Sequence, residues 1–167
     1  MKSIVSRRGY PCESLECDDG AMSAHSDDTT DPTKTAGTID GDILGPFVRH
    51  LGLELTDVGP DRVEARWAGA PHLHQPYGIL HGGVHCSVVE TLASVGAAAW
   101  LGNRGKVVGV NNNTDFIRAV TDGGITSVAT PAHRTDIEQL WIVESRDDAG
   151  RLVSRGQVRL QNLYPGE

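Results

Sequence analysis

The chain has 167 residues, 22 acidic against 15 basic side chains, a net charge of -7 and three cysteines. That length supports one domain, with or without a tail. The acidic balance and a pI near 5.4 argue against nucleic acid as the main partner, because phosphate binding needs a basic face.

No apolar run of membrane-spanning length stands out, so no membrane contact is expected. No apolar stretch follows the basic residues of Met1–Arg8 that would make a secretion signal. Three cysteines without a pairing framework fit a reducing, cytoplasmic compartment.

Residues 1 to 39 are poor in large apolar side chains and rich in Asp, Ser, Thr and Gly. Such a segment buries too little apolar surface to offset the entropy of ordering it, so a disordered tail is expected there. Met22 offers an alternative start within it, and the spacing of Cys12 and Cys17 matches no strong metal pattern.

A folded domain is expected from residue 40 to residue 167. Ile43 to Leu51 reads as a short helix or lead-in turn. Leu53 to Leu55 and Arg62 to Trp67 alternate apolar with polar around Gly59-Pro60-Asp61, which predicts a hairpin. A loop leads to an apolar helix from about Gly83 to Leu101, ended by Gly102-Asn103. Strand-like runs follow at Val107 to Ala119, Ile125 to Thr135, Leu140 to Arg146 and Leu152 to Leu163, the last two joined by a hairpin loop at Asp147–Gly150. Two strands, one long helix apolar nearly all round, then four strands predict an α+β fold: an antiparallel sheet wrapped around one buried central helix.

The run Gln75-Pro76-Tyr77-Gly78-Ile79-Leu80-His81-Gly82-Gly83 leads into that helix. A helix begun through two glycines has no Ser, Thr, Asp or Asn to cap its first amides. Those N–H groups and the positive end of the helix dipole are therefore expected to face a ligand oxygen. Two turns on, Glu90 is a lone carboxylate among Val88, Val89, Leu92 and Ala93. Donors at the helix start plus an acid suit carbonyl chemistry.

Each feature has a plainer alternative. Glu90 could simply find a salt-bridge partner, and the glycines could serve only a tight turn. His72, His74, His81 and His85 raise the question of zinc, but no H-E-x-x-H pattern is present and no metal is expected. Cys86 shares the helix face of Glu90 and reads as a small buried residue. Ser94, four residues after Glu90, is placed to bond the carboxylate or a water. Trp67, Trp100 and Trp141 read as core or interface.

The element order, the run from Gly78 to Val84 and an acid eight residues after Gly82 resemble the hotdog-fold acyl-CoA thioesterases. The likeness is closest to the phenylacetate-pathway and 4-hydroxybenzoyl-CoA group, over roughly residues 45 to 163. The resemblance implies that the Gly82 N–H polarises the thioester carbonyl. It makes Glu90 the catalytic carboxylate, either a general base or a nucleophile forming a mixed anhydride, and gives Gln75 the task of orienting the thioester or the water. His81, Gly83 and Ser94 would line the substrate, and Arg118, His133 and Arg134 would meet the phosphates of CoA. A Glu rather than an Asp at position 90 resembles the hydroxybenzoyl branch and suggests an aromatic acyl group.

CoA would be part of the substrate, so no separate cofactor is implied. The resemblance further implies a homodimer or homotetramer with sites at the subunit interface. Two other readings remain: a hotdog dehydratase or hydratase, which needs a positioned histidine beside the acid, and a non-catalytic acyl-CoA-binding module, which has no need of Glu90.

Overall fold

The computed structural model describes residues 44–166. The tail reading, the alternative start at Met22, and Cys12 and Cys17 lie outside the described residues. The elements are a short helix α1 (Pro46–Leu51), strands β1 (Glu54–Val58) and β2 (Val63–Ala68), the long helix α2 (Gly82–Leu101), then β3 (Lys106–Phe116), β4 (Gly124–Arg134), β5 (Glu138–Asp147) and β6 (Leu152–Leu163). The six strands form one sheet in the order β1-β2-β4-β5-β6-β3, with every neighbouring pair antiparallel.

Period-two alternation sets which side of the sheet meets α2. On β5 the buried positions are Gln139, Trp141, Val143 and Ser145, and on β6 they include Val158, Leu160 and Asn162. These pack with Val88, Val89, Leu92, Ala93 and Ala97 of α2 in a single core. Fully burying each Val or Leu is worth about 1.5–3 kcal/mol, so this face fixes the helix on the sheet. The polar groups in the core are mostly paired. The Trp67 indole N–H donates to Ser127 at 2.9 Å, and Gln139 accepts from the Trp141 indole at 3.0 Å while donating to Asn162 at 2.8 Å.

Three expectations are corrected here. The helix is not buried all round: Cys86, Ser87, Glu90, Thr91 and Ser94 are half-buried, and Ala98 and Ala99 are exposed. The sheet wraps one side and leaves a polar stripe open on the other. The segment Gly82–Arg104 is also long and apolar enough by composition to cross a membrane, although half of it is buried against the sheet. Its small Gly, Ala and Ser residues mask that length on inspection, and the same composition suits a core helix.

The third correction concerns β3, which ends at Phe116 rather than Ala119. Ile117 and Arg118 both donate to the single carbonyl of Val153, at 2.9 and 3.1 Å, so the ladder stops. The chain then crosses to the loop before α2, where the Leu80 N–H donates to the Val120 carbonyl at 2.8 Å. That bond brings the end of β3 to the start of the helix. β3 is also an edge of the sheet, bonded to β6 on one side.

Candidate active site

The loop before α2 holds Gln75 by its own backbone. The Gln75 N–H donates to Ile79 and its carbonyl accepts from Gly78, both at 2.9 Å. A backbone fixed on both sides gives the side chain a defined origin, and Gln75 lines a cavity of about 170 Å³ together with Gly82, His85, Phe116 and Arg118. Next to it, the His81 N–H donates to the Leu73 carbonyl at 2.9 Å, which sets the angle at which the chain enters the helix.

The helix start differs from expectation, because it is capped. His81 has extended backbone angles, and its Nδ1 accepts from the Gly83 N–H at 2.9 Å. An imidazole nitrogen here does what a Ser or Asp oxygen does at other helix starts. The bond requires a lone pair on Nδ1, so the ring proton sits on Nε2. Val84 donates back to the His81 carbonyl. Among the described residues the Gly82 N–H has no partner, so one donor of the expected pair is taken and one is free. Gly82 is also glycine for a packing reason: an added Cβ would lie 2.6 Å from the Phe116 ring.

Glu90 sits two turns further on, half-buried on the open stripe. It is less isolated than its apolar neighbours in sequence suggest. The Asn112 side-chain amide, from β3, donates to Glu90 Oε2 at 3.1 Å and to the Cys86 carbonyl at 3.0 Å. The Cys86 carbonyl can only accept, which sets the direction in which the amide faces, and the Thr114 hydroxyl donates to Asn112 Oδ1 at 2.7 Å on the other side. The other carboxylate oxygen leans on Gly109, where an added Cβ would lie 2.0 Å from Oε1. Asn112, Thr114 and Gly109 thus form a socket that fixes the acid.

This socket is absent from the sequence reading, which runs Val107 to Ala119 as one strand. One signal was present. Gly109 stands alone in the strand run Val107-Val108-Gly109-Val110, and an isolated strand glycine marks a bulge or a close approach. Both occur here, since the register against β6 shifts between Gly109 and Asn111.

The other named residues are scattered. Ser94 is half-buried one turn beyond Glu90, and its hydroxyl makes no hydrogen bond among the described residues. Cys86 is a free, half-buried thiol. Arg118 lines the Gln75 cavity. His133 is exposed at a bulge of β4. The Arg134 guanidinium is held by Asp61 at 2.7 Å and the Pro60 carbonyl at 2.6 Å, and it lies 5.4 Å from the Trp100 ring centre.

The three residues expected at the CoA phosphates do not converge in one chain. Arg134 pairs with Gln139, Gln139 with Leu160, and Leu160 with Gly109. Arg118 lies beyond Phe116, which is more than ~20 Å further along β3 at strand rise. No group of three or more His, Cys, Asp or Glu able to hold a metal occurs among the described residues.

Comparisons with known proteins bear on the family and the fold. A family model described as the thioesterase superfamily matches residues 77–154. The Mycobacterium tuberculosis H37Rv protein named "Putative esterase Rv1847" is 50% identical over 121 residues, covering 71% of this chain and 86% of its own. The 1,4-dihydroxy-2-naphthoyl-CoA hydrolase of Escherichia coli K12 is 32% identical over 114 residues, covering 68% of this chain and 84% of its own. The crystal structure of S. sahachiroi AziG superposes with a TM-score of 0.72 at 58% identity, over 72% of this chain and 98% of that one. A six-stranded antiparallel sheet around one helix, an acid seated on that helix and these relatives agree: the chain belongs to the hotdog-fold thioesterase superfamily, whose chemistry is thioester hydrolysis.

Proposed function

We propose that this protein hydrolyses an acyl-CoA, with Glu90 as the catalytic carboxylate and the Gly82 N–H as the donor to the thioester oxygen. The observation that carries the reading is the Glu90 socket. One carboxylate oxygen is tied to Asn112 and the other abuts a glycine that leaves it room. As general base, the carboxylate takes a proton from water while the water oxygen bonds to the carbonyl carbon. As nucleophile, it bonds to that carbon itself, and water then cleaves the mixed anhydride. Either way the carbon–sulfur bond breaks, the thiolate takes up a proton, and the products are a free acid and CoA-SH. Negative charge on the carbonyl oxygen is met by the Gly82 N–H, with Gln75 beside it.

Gly82 and Glu90 are eight residues apart on one helix, which is ~12 Å of axial rise. One carbonyl group does not bridge that distance, so the donor and the acid serve a common thioester when two copies contribute one each. The edge strand β3 is where a second copy fits. It is unpaired on its outer side among the described residues, and it carries the exposed apolar residues Val108, Val110 and Phe116. An edge of this kind invites pairing with another chain. In that assembly Arg118 and His133 are the side chains offered to the CoA phosphates, since Arg134 is already held by Asp61. The printed name of the Escherichia coli relative supports CoA as the thiol half, and together with Glu rather than Asp at position 90 it supports an aromatic acyl group.

The test is thiol release from short, long and aromatic acyl-CoAs by wild type and by Glu90→Ala. Turnover in the wild type should fall about 10²–10⁴-fold in kcat in the variant, the range for a lost acid–base group. Full activity in Glu90→Ala would remove Glu90 from the chemistry. Tight binding without turnover by the wild type would favour a binding module.

A further inference from the structure

His85 is a buried polar group that the chemistry above does not use. It lies three residues after Gly82 and so on the same side of α2. It is 4% exposed, with its ring edge-on to Trp67 at 5.7 Å and tilted against Phe116 at 5.9 Å. Its Nδ1 is sealed from solvent with no hydrogen-bond partner, whereas Nε2, also unpaired among the described residues, is not sealed. Leaving such a group unpaired costs about 1–3 kcal/mol, and a phenylalanine would fill the space between two aromatic rings without that cost. The sealed Nδ1 is out of a ligand's reach, so Nε2 is the atom of this ring that can meet a partner.

The niche opens on the cavity already described. His85 lines it with Gln75, Gly82 and Phe116, and its volume is about 170 Å³. An enclosed apolar cavity of about 150 Å³ takes up one benzene ring, so this partly open and partly polar one has room for a single substituted ring. Burial holds the His85 imidazole below its ordinary range by desolvation, which keeps it neutral near pH 7. A neutral imidazole offers one N–H donor and one lone pair, which suits a hydroxyl group.

We propose that His85 is a specificity-determining residue that hydrogen-bonds a ring hydroxyl of an aromatic acyl group seated in the cavity between Gln75, Gly82 and Phe116. This rests on the acyl-thioester reading above, and it assigns His85 a role in choosing the substrate rather than in breaking the bond. Sites built to pair a substrate hydroxyl reject the analogue that lacks it, because the site's own polar group is then left unsatisfied.

The test separates the two ideas by measuring binding apart from turnover. Non-hydrolysable thioether analogues of CoA, phenacyl-CoA and its three ring-hydroxylated isomers, would be titrated calorimetrically into wild type, His85→Phe and His85→Gln. The wild type should bind one hydroxylated isomer on the order of tenfold tighter than the unsubstituted analogue. His85→Phe should erase that preference while holding the unsubstituted analogue about as well. His85→Gln, which keeps a neutral donor and acceptor, should retain part of it and reports even if the phenylalanine variant fails to fold. A preference that survives in both variants, or no preference in the wild type, overturns the proposal. Thiol release from benzoyl-CoA, measured in parallel, speaks only to hydrolysis: no turnover with the preference intact would strike the enzyme reading and leave His85 its role.

Discussion

The two ends of the proposed site are built by different means. At the helix start the hydrogen bonds that shape the turn are mostly local: Gln75 is fixed by Gly78 and Ile79, and His81 caps Gly83 two residues on, with Val120 and Phe116 the distant contacts. Around Glu90 the parts are distant, since Asn112 and Gly109 come from β3, with Asn112 lying 22 residues away. A donor site can be made from one loop because backbone N–H groups point where the chain points. Fixing a flexible carboxylate takes a second element packed across it. The first end should therefore be sensitive to backbone substitutions and the second to small changes on the facing strand.

The largest expected effect breaks the first end. Gly82 is the first residue of α2, a position that accepts proline, and the extended backbone of His81 (φ −68°, ψ 135°) is what a residue before proline needs. Gly82→Pro removes the free N–H, and Gly82→Ala keeps it while adding the same Cβ against Phe116. We expect kcat for the proline variant to be about 10²–10³-fold below the alanine variant, the usual loss for one such donor. Steady-state thiol release on both proteins checks it, and equal rates would mean that the N–H plays no part.

A comparable but smaller effect should mark the second end. Gly109→Ala places a methyl where Glu90 Oε1 now lies, and the carboxylate, being the end of a flexible chain, is what moves. A misplacement of this size costs about 10²-fold in rate. The melting temperature should stay the same or rise slightly, because alanine replaces a strand glycine. Loss of fold along with activity would show that the contact is structural rather than positional.

The smallest effect concerns His85, which belongs to the first end but is held by burial. Its pKa is lowered from 6.5 by desolvation. The unfolded chain therefore binds a proton that the folded chain refuses, and stability falls as the pH drops below that value. Between about pH 7.5 and 5.5 the wild type should lose more melting temperature than His85→Phe does. Parallel shifts in the two proteins would show that His85 protonates as readily when folded as when unfolded.

The same contrast governs what could be read from the sequence. Alternation in β1, β2, β5 and β6, the turn at Asp147–Gly150 and the apolar run of α2 follow from local pattern, and the structure has each of them. Glu90 and Gly82 stand out in the sequence because an acid in an apolar helix and a double glycine at its start are local anomalies. The Asn112 socket was not, because three successive asparagines look alike until a strand register decides which one faces the helix. The His81 cap was missed because imidazole is an uncommon capping group, and β3 was drawn three residues too long because two N–H groups share one carbonyl at its end. The open stripe on α2 escaped notice because small apolar and polar residues alternate there, and only the placement of the sheet shows which side stays uncovered.

The most direct measurement joins the two ends. Chains carrying Glu90→Ala and chains carrying Gly82→Pro, each inactive alone, would be co-expressed with different tags and the mixed dimer purified. If one thioester is held by Gly82 of one copy and Glu90 of the other, one of the two sites is whole. Thiol release should then return to about half the wild-type rate per dimer. Activity no higher than that of the parent variants would contradict the shared site and place the donor and the acid in separate tasks.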